Sequence, residues 1–218
     1  MHYMVNLLSP NWITAPCIVS RNALRLKINE ERSINFSKYN GYVKPFVLHA
    51  SHYVGKRLLV DKRTTDFLLN EKEDSFNKLP SKLILCPGMP LMLTDNINVS
   101  NGLVNGAYCF FYGLPPDVQF NVDLDNRYTI ETIPDYILVK FDPIGEYGID
   151  ESKDGFTEEN NYGYRFNCLS NLPPGVVPIF PKKASHQFVV SGKHVPISRQ
   201  SFPLQLRFSY NGHWRNLR

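Results

Sequence analysis

Residues 86–112 constrain the fold of this chain more than any other stretch. Cys86-Pro87-Gly88 signals a turn, and Met89-Pro90-Leu91-Met92-Leu93 reads as a short buried strand. A polar loop follows, with the pairs Asn101-Gly102 and Asn105-Gly106. Asn and Gly tolerate positive φ, so such pairs mark tight backbone reversals. The next segment, 107–112, is aromatic and β-prone. The pattern is strand, tight polar loop, strand.

Strand signals continue beyond it. Val118, Phe120, Val122 and Leu124 alternate with Gln119, Asn121, Asp123 and Asp125, which predicts a half-buried strand. Turn residues at Asp125-Asn126 and Pro134-Asp135 separate it from segments at 127–133 and 136–141, a meander of short antiparallel strands. Such a meander with short turns predicts a small barrel. Upstream, the apolar run 13–19 reads as a strand. It meets Ser20-Arg21-Asn22 and then 23–36, rich in helix formers with Leu24 and Ile28 on one face. Strand followed directly by helix is the βα unit of a parallel sheet, whose ligands sit at strand carboxyl ends. Segment 64–78 is expected to be a helix or a surface loop, and 82–86 a strand feeding the 86–112 stretch.

Charge is unevenly spread over a net +4. Residues 142–159 hold seven acids and one Lys, whereas 182–218 hold seven Lys or Arg and no acid. Residues 38–63 add six Lys or Arg against one Asp. Two basic blocks suit a polyanionic partner, and ordinary surface charge is the alternative. No run reaches the ~18 apolar residues of a membrane span, and the start lacks the pattern of a signal peptide. Cys17, Cys86, Cys109 and Cys168 lie far apart, as buried free thiols would, and no metal site is expected. An intracellular chain is expected, nuclear or otherwise.

Several ordered segments resemble the second motor domain of Pif-type DNA helicases (superfamily 1), including the helicase part of Helitron transposons and their fungal relatives. They are Gly88-Met-Pro-Leu-Met-Leu93, Asn96, Gly102-Leu-Val-Asn-Gly106, Pro134-Asp-Tyr-Ile-Leu-Val-Lys-Phe-Asp142, Leu172-Pro-Pro-Gly-Val-Val-Pro-Ile179 and Arg199-Gln-Ser-Phe-Pro-Leu204. The resemblance implies an α/β fold: a partial RecA-like motor domain interrupted by an SH3-like antiparallel β-barrel insertion. It implies a leader at 1–12, motor pieces at 13–106 and 199–218, and the barrel at 107–198. The RecA-like sheet would draw on 13–36, 82–93 and 202–208.

The resemblance further implies single-stranded DNA as partner, contacted by Arg21, Asn22, Asn29, Asn96, Asn105, Gly106 and His213. Asn22 and Asn29, seven residues apart, share a helix face. The alternative is that these Asn and Gly residues only make turns and caps, Ser20 or Asn22 capping the helix. ATP and magnesium serve full-length members. This chain has no Gly-x-x-x-x-Gly-Lys-Ser/Thr loop to cradle phosphates, so no nucleotide cofactor is expected in it. Its end also departs from the family, reading Tyr210-Asn-Gly-His213-Trp214 where members carry His-Lys and then Gln-Gly. A fragment of an ATP-dependent helicase, inactive alone, is the expectation. A stand-alone nucleic-acid-binding module and a decayed transposon remnant are the alternatives.

Overall fold

The computed structural model describes residues 15–41, 44–125, 127–130, 132–141, 172–173, 175–190 and 192–211. The acidic run expected at 142–159, Cys168 and His213 lie outside the described residues. In chain order the first elements are β1 (Cys17–Val19), α1 (Asn22–Tyr39), β2 (Phe46–His49), β3 (Ser51–Val54), β4 (Arg57–Leu58) and α2 (Lys62–Leu69). A 3-10 turn (Glu73–Phe76) leads to β5 (Lys82–Leu85) and β6 (Pro90–Leu93). A second 3-10 turn (Val99–Asn101) precedes β7 (Tyr108–Gly113), β8 (Asn121–Val122), β9 (Tyr128–Ile130) and β10 (Ile137–Lys140). The last strands are β11 (Val176–Ile179), β12 (Lys182–Val190), β13 (Lys193–Ser201), β14 (Leu204–Leu206) and β15 (Ser209–Asn211).

Period-two alternation builds the central layer, a five-stranded antiparallel sheet in the order β11-β10-β7-β6-β14. Its register aligns apolar rows, Leu206–Leu91–Cys109 and Phe111–Val139–Val177, all pointing into one core. The second face of that core comes from Leu83 and Leu85 of β5, Leu48 of β2 and Ile130 of β9, in a sheet ordered β5-β2-β9-β8. Each such fully buried side chain contributes roughly 1.5–3 kcal/mol. Phe36 of α1 closes one end against Phe208, ring centroids 5.8 Å apart.

The architecture is mixed α/β, as expected, but it is partitioned differently. Among the described residues the antiparallel sheet stays open: its edges β11 and β14 do not pair, so no closed barrel forms. It recruits β6 and β14 from outside 107–198, because both present alternate leucines to the same core. Conversely, β12 and β13 leave that sheet and join β3 and β4 in the order β12-β13-β3-β4. Nor do 13–36, 82–93 and 202–208 share one sheet. β1 pairs in parallel with β15 alone, β5 with β2, and β6 with β14 and β7. The alternation at 118–124 also misleads: β8 spans only Asn121–Val122, and Phe120, Val122 and Leu124 are exposed. Val118 packs against the core and the Phe120 ring rests on Tyr128 and Phe46, centroids 4.6 and 6.1 Å away, so the run meets the sheet at its start and not along one alternating face.

Helix α1 forms where expected but turns its polar side inward. Arg25, Asn29, Ser33 and Ser37 are buried with Phe36, whereas Leu24 and Leu26 are exposed. The N-cap residue is Arg21, whose side chain makes no capping hydrogen bond, so the expected Ser20 or Asn22 cap is replaced by a bare extended entry. Helix α2 has a true cap: the Asp61 carboxylate accepts from the Thr64 N–H at 2.9 Å.

A buried cation ties the four-stranded sheet to α2. Arg199 of β13 is fully buried. Its Nη1 donates to the Leu79 carbonyl at 3.1 Å, and its Nη2 to the Leu68 carbonyl at 2.5 Å and the Glu71 carbonyl at 3.3 Å. Two of those carbonyls lie at or just beyond the end of α2, where a helix favours positive charge. The guanidinium also stacks on Phe76, 4.2 Å from the ring centroid. Its Nε donates to His52 Nε2 at 3.0 Å, so His52 must be neutral there, with its proton on Nδ1.

Burial first, and the Arg199 charge second, push His52 down to about 4. Its folded pKa therefore lies below its unfolded value near 6.5, and the folded state resists taking up a proton. The stability it protects is complete above pH ~6.5 and is lost as pH falls towards 4, on the order of 2–3 kcal/mol. Urea midpoints measured from pH 7.5 to 4.5 should show this slope. In His52→Gln, where an amide oxygen accepts the same bond without titrating, that part of the slope disappears.

Candidate nucleic-acid interface

The loop joining β6 to β7 is braced from within. Asn96 Oδ1 accepts from the Asn105 N–H at 2.8 Å, tying the two ends together. Asn98 caps the 3-10 turn, its Oδ1 accepting from the Asn101 N–H at 3.3 Å and from the Ser100 hydroxyl at 2.8 Å. Reciprocal backbone bonds between Asn98 and Leu103 close the inner ring, and Leu103 plugs it into the core at 1% exposure. Gly102 and Gly106 sit at φ +73° and +92°, the left-handed conformation that the two Asn-Gly pairs predict.

This loop therefore brings Asn96, Asn105 and Gly106 together. Its backbone donors are already engaged: the Gly102 N–H bonds Val99, the Gly106 N–H bonds Leu93, and the Asn105 N–H bonds Asn96. The backbone contacts to phosphate expected of a Gly-containing loop are unavailable at these three positions. What the loop offers outward are side chains, with Asn96, Ser100 and Asn105 all exposed.

Asn22 and Asn29 meet elsewhere, in a groove of about 930 Å³ between α1, the α2–β5 segment and β14. None of residues 96–106 lines it. Asn29 is only 4% exposed and its amide is fully used. Nδ2 donates to the Leu206 and Ser209 carbonyls at 3.1 and 3.3 Å. Oδ1 accepts from the Ser209 N–H at 2.7 Å and from its hydroxyl at 3.0 Å. It is a clamp on β15, and in this arrangement it cannot reach a phosphate. Asn22 is exposed, but its Nδ2 faces Asp74 Oδ2 at 3.4 Å.

The groove wall holds Glu30, Asp66, Glu71, Glu73 and Asp74 against Arg25, Lys72 and Lys82. Arg25 is spent on Glu73 at 2.6 Å, and Lys82 on Glu30 at 2.6 Å. The remaining charge is negative, which disfavours a phosphate backbone next to Asn22. His49 also lines this groove; burial, then the Lys82 charge, lower its pKa. Arg21, one residue outside α1, is exposed.

No protein-family model matches the chain, and no curated protein matches it. Solved structures do. The structural neighbours are Pif1 helicases. The chain is similar to the Pif1 helicase from Candida albicans at TM-score 0.43 and 17% identity, over 91% of this chain and 38% of that one. It is similar to the Bacteroides Pif1 helicase in complex with ADP-AlF3 and ssDNA at TM-score 0.45 and 13% identity, over 94% and 33%. For Bacteroides Pif1 bound to ssDNA the values are 0.42 and 14%, over 88% and 29%. The chain thus spans about a third of the length of the proteins it matches.

Among the described residues, no helix is long and apolar enough to cross a membrane, and no cluster of His, Cys, Asp or Glu could hold a metal ion. Cys86 and Cys109 are buried free thiols, and burial raises both, Cys86 to about 11.

Sequence reasoning missed Arg199 and Arg25, the two buried arginines among the described residues. A signal existed for the first. Arg199 stands in phase with Ile197 and Ser201 on β13, and so on the core face.

Proposed function

We propose that this chain is part of the second motor domain of a Pif-type DNA helicase and acts as a weak single-stranded DNA-binding unit without ATPase activity of its own. In this reading β1, α1 and β15 are the RecA-like piece, and the open antiparallel sheet corresponds to the SH3-like insertion. A nuclear or other intracellular location and a Helitron-like parent go with the same reading. The observation that carries it is the braced loop. The residues that the resemblance selects, Asn96 and Gly102-Leu-Val-Asn-Gly106, are those whose side chains and positive φ values hold the loop in one shape.

The proposed contacts are Arg21, Asn96 and Asn105, exposed positions outside the acidic groove, while Gly106, whose N–H is bonded to Leu93, shapes the loop. Asn29 has a structural role instead. Asn side chains donate to phosphate oxygens without neutralising them, so the salt-sensitive part of the affinity falls to Lys and Arg. With few phosphates neutralised, dissociation constants of about 10⁻⁴–10⁻⁶ M are expected, weakening steeply with salt. Fluorescence anisotropy with labelled oligo-dT at 50 and 200 mM salt tests this. Arg21→Ala should weaken binding and flatten the salt slope, and Asn105→Ala should weaken it with the slope unchanged. The same preparation should release no phosphate from ATP, with or without the oligonucleotide. Absence of binding at both salt concentrations, or ATPase activity stimulated by oligo-dT, would overturn the proposal.

A further inference from the structure

A sheet edge is where a folded chain still offers unpaired backbone. Among the described residues, most edge strands are short: β1, β14 and β15 have three residues, β5 and β11 four, β4 and β8 two. The exception is β12 (Lys182–Val190), nine residues long, at the end of the order β12-β13-β3-β4. Its ladder with β13 runs unbroken from the pair Lys182 and Ser201 to the pair Val190 and Lys193. Prolines, bulges and charged side chains are the usual means of blunting an edge. β12 has no proline and no bulge, and its charge sits at one end only. Lys182 is held there by Asp95 at 2.5 Å, and Lys183 follows it.

The other half, Ser185 to Val190, carries no Lys, Arg, Asp or Glu. In register with β13, Ser185, Gln187 and Val189 fall on the outer face, opposite Ser198, Pro196 and His194. His186, Phe188 and Val190 fall on the inner face, in phase with buried Ala184. There Phe188 stacks on Phe67 of α2, ring centroids 6.4 Å apart. Phe67, Val189 and Val190 are all exposed. Free backbone groups and apolar side chains therefore reach solvent together along about 20 Å of strand. An uncharged, β-prone run without proline is the kind of segment that pairs with its own copies.

We propose that β12 pairs antiparallel with β12 of a second copy of this chain, joining two four-stranded sheets into one of eight strands. Self-complementarity selects the occupant. A two-fold axis perpendicular to the sheet sets outer side chains against outer ones and inner against inner, so each copy contributes the same uncharged half. With the axis at Gln187 or Phe188, the two Lys183 stand about 25–35 Å apart, far beyond the Debye length of about 8 Å. Their repulsion is screened, and no like charges meet near the axis. An unrelated peptide would need a charge on the edge to single it out, and the free half has none. What that half offers is backbone with Phe188, Val189 and Val190, which an identical strand matches. One strand-to-strand contact buries less than a standard interface of about 1,600 Å², so a reversible, micromolar pair is expected.

Sedimentation velocity of the full chain, without nucleic acid, tests this from about 5 µM to about 500 µM. Wild type should pass from monomer to dimer across that range. The double variant Gln187→Lys/Val189→Lys puts like charges beside the axis and should weaken dimerisation at least 10-fold. Leu58→Lys/Val60→Lys adds the same charge at exposed positions, one on β4 at the opposite edge and one just beyond it. It should change dimerisation less than 2-fold. Amide hydrogen exchange of wild type should slow within 185–190 as concentration rises. A wild type that stays monomeric at the highest concentration overturns the proposal and leaves the edge to a different strand. A dimer weakened equally by both double variants overturns it too, as does concentration-dependent protection that lies outside β12.

Discussion

Replacing Arg199 with methionine should cost about 3–5 kcal/mol of folding stability, enough to unfold much of the protein at 37 °C. A domain of this kind has on the order of 5–15 kcal/mol in total. Two effects oppose each other. Methionine removes the desolvation cost of a buried charge, and replacing a whole buried ion pair by apolar groups is often neutral. Here the partners are not removable. The carbonyls of Leu68, Leu79 and Glu71 belong to the backbone, and His52 Nε2 remains where it is. The Leu68 carbonyl keeps a second donor, the Glu71 N–H at 3.2 Å, but the Leu79 carbonyl and His52 Nε2 lose the donor that Arg199 gives them. Each buried acceptor left without a donor costs roughly 1–3 kcal/mol, and with the lost packing on Phe76 this exceeds the desolvation gain.

Arg199→Lys should fall between wild type and Arg199→Met. One ammonium keeps the charge near the end of α2 but cannot span three carbonyls and His52 with a planar fork. Urea denaturation at pH 7.5 orders the three proteins. A loss below 1 kcal/mol in Arg199→Met would show that the fork does not hold β13 to α2.

Arg199 also shows where sequence reading stops. Its phase with Ile197 and Ser201 was a signal that went unread, and nothing nearby in the chain names Leu68, Leu79 or His52 as its partners. The local elements were legible. The Asn-Gly pairs gave Gly102 and Gly106 their positive φ, and the apolar runs became β5, β6, β7 and β10. Which strand pairs with which was not legible, because sheet partners are distant in sequence: Cys17 pairs with Ser209, and Ser198 with Tyr53. Helix α1 was misread on its faces for the same reason. Leu24 looks like a core residue until Asn29 and Arg25 find polar partners on β14, β15 and the Glu73 turn that draw the other side inward. Seven-residue spacing did place Asn22 and Asn29 on one groove. It could not show that Asp66, Glu71 and Asp74 would face them.

Asn29 now separates a clamp from a DNA contact. Asn29→Ala removes both halves of the amide at once: the Leu206 and Ser209 carbonyls lose a donor and the buried Ser209 N–H loses its acceptor, while the Ser209 hydroxyl keeps the Arg25 carbonyl at 2.9 Å. The expected cost is about 2–4 kcal/mol, felt first at β15, whose only strand partner among the described residues is β1. Asn29→Asp should be worse at neutral pH. Its carboxylate could still accept from Ser209, but the second oxygen would face two carbonyls, and the charge would be buried without a cation. That raises the folded pKa of the new acid above its unfolded value near 4. Such a group is least harmful when protonated, so Asn29→Asp should regain stability relative to Asn29→Ala as pH falls through the raised pKa, since a protonated carboxyl can donate where Nδ2 did. Paired urea titrations of the two variants at pH 7.5 and 5 measure the crossover. In conditions where Asn29→Ala remains folded by circular dichroism, its affinity for oligo-dT should equal that of wild type. A folded Asn29→Ala protein with weakened binding would move Asn29 from the clamp to the interface.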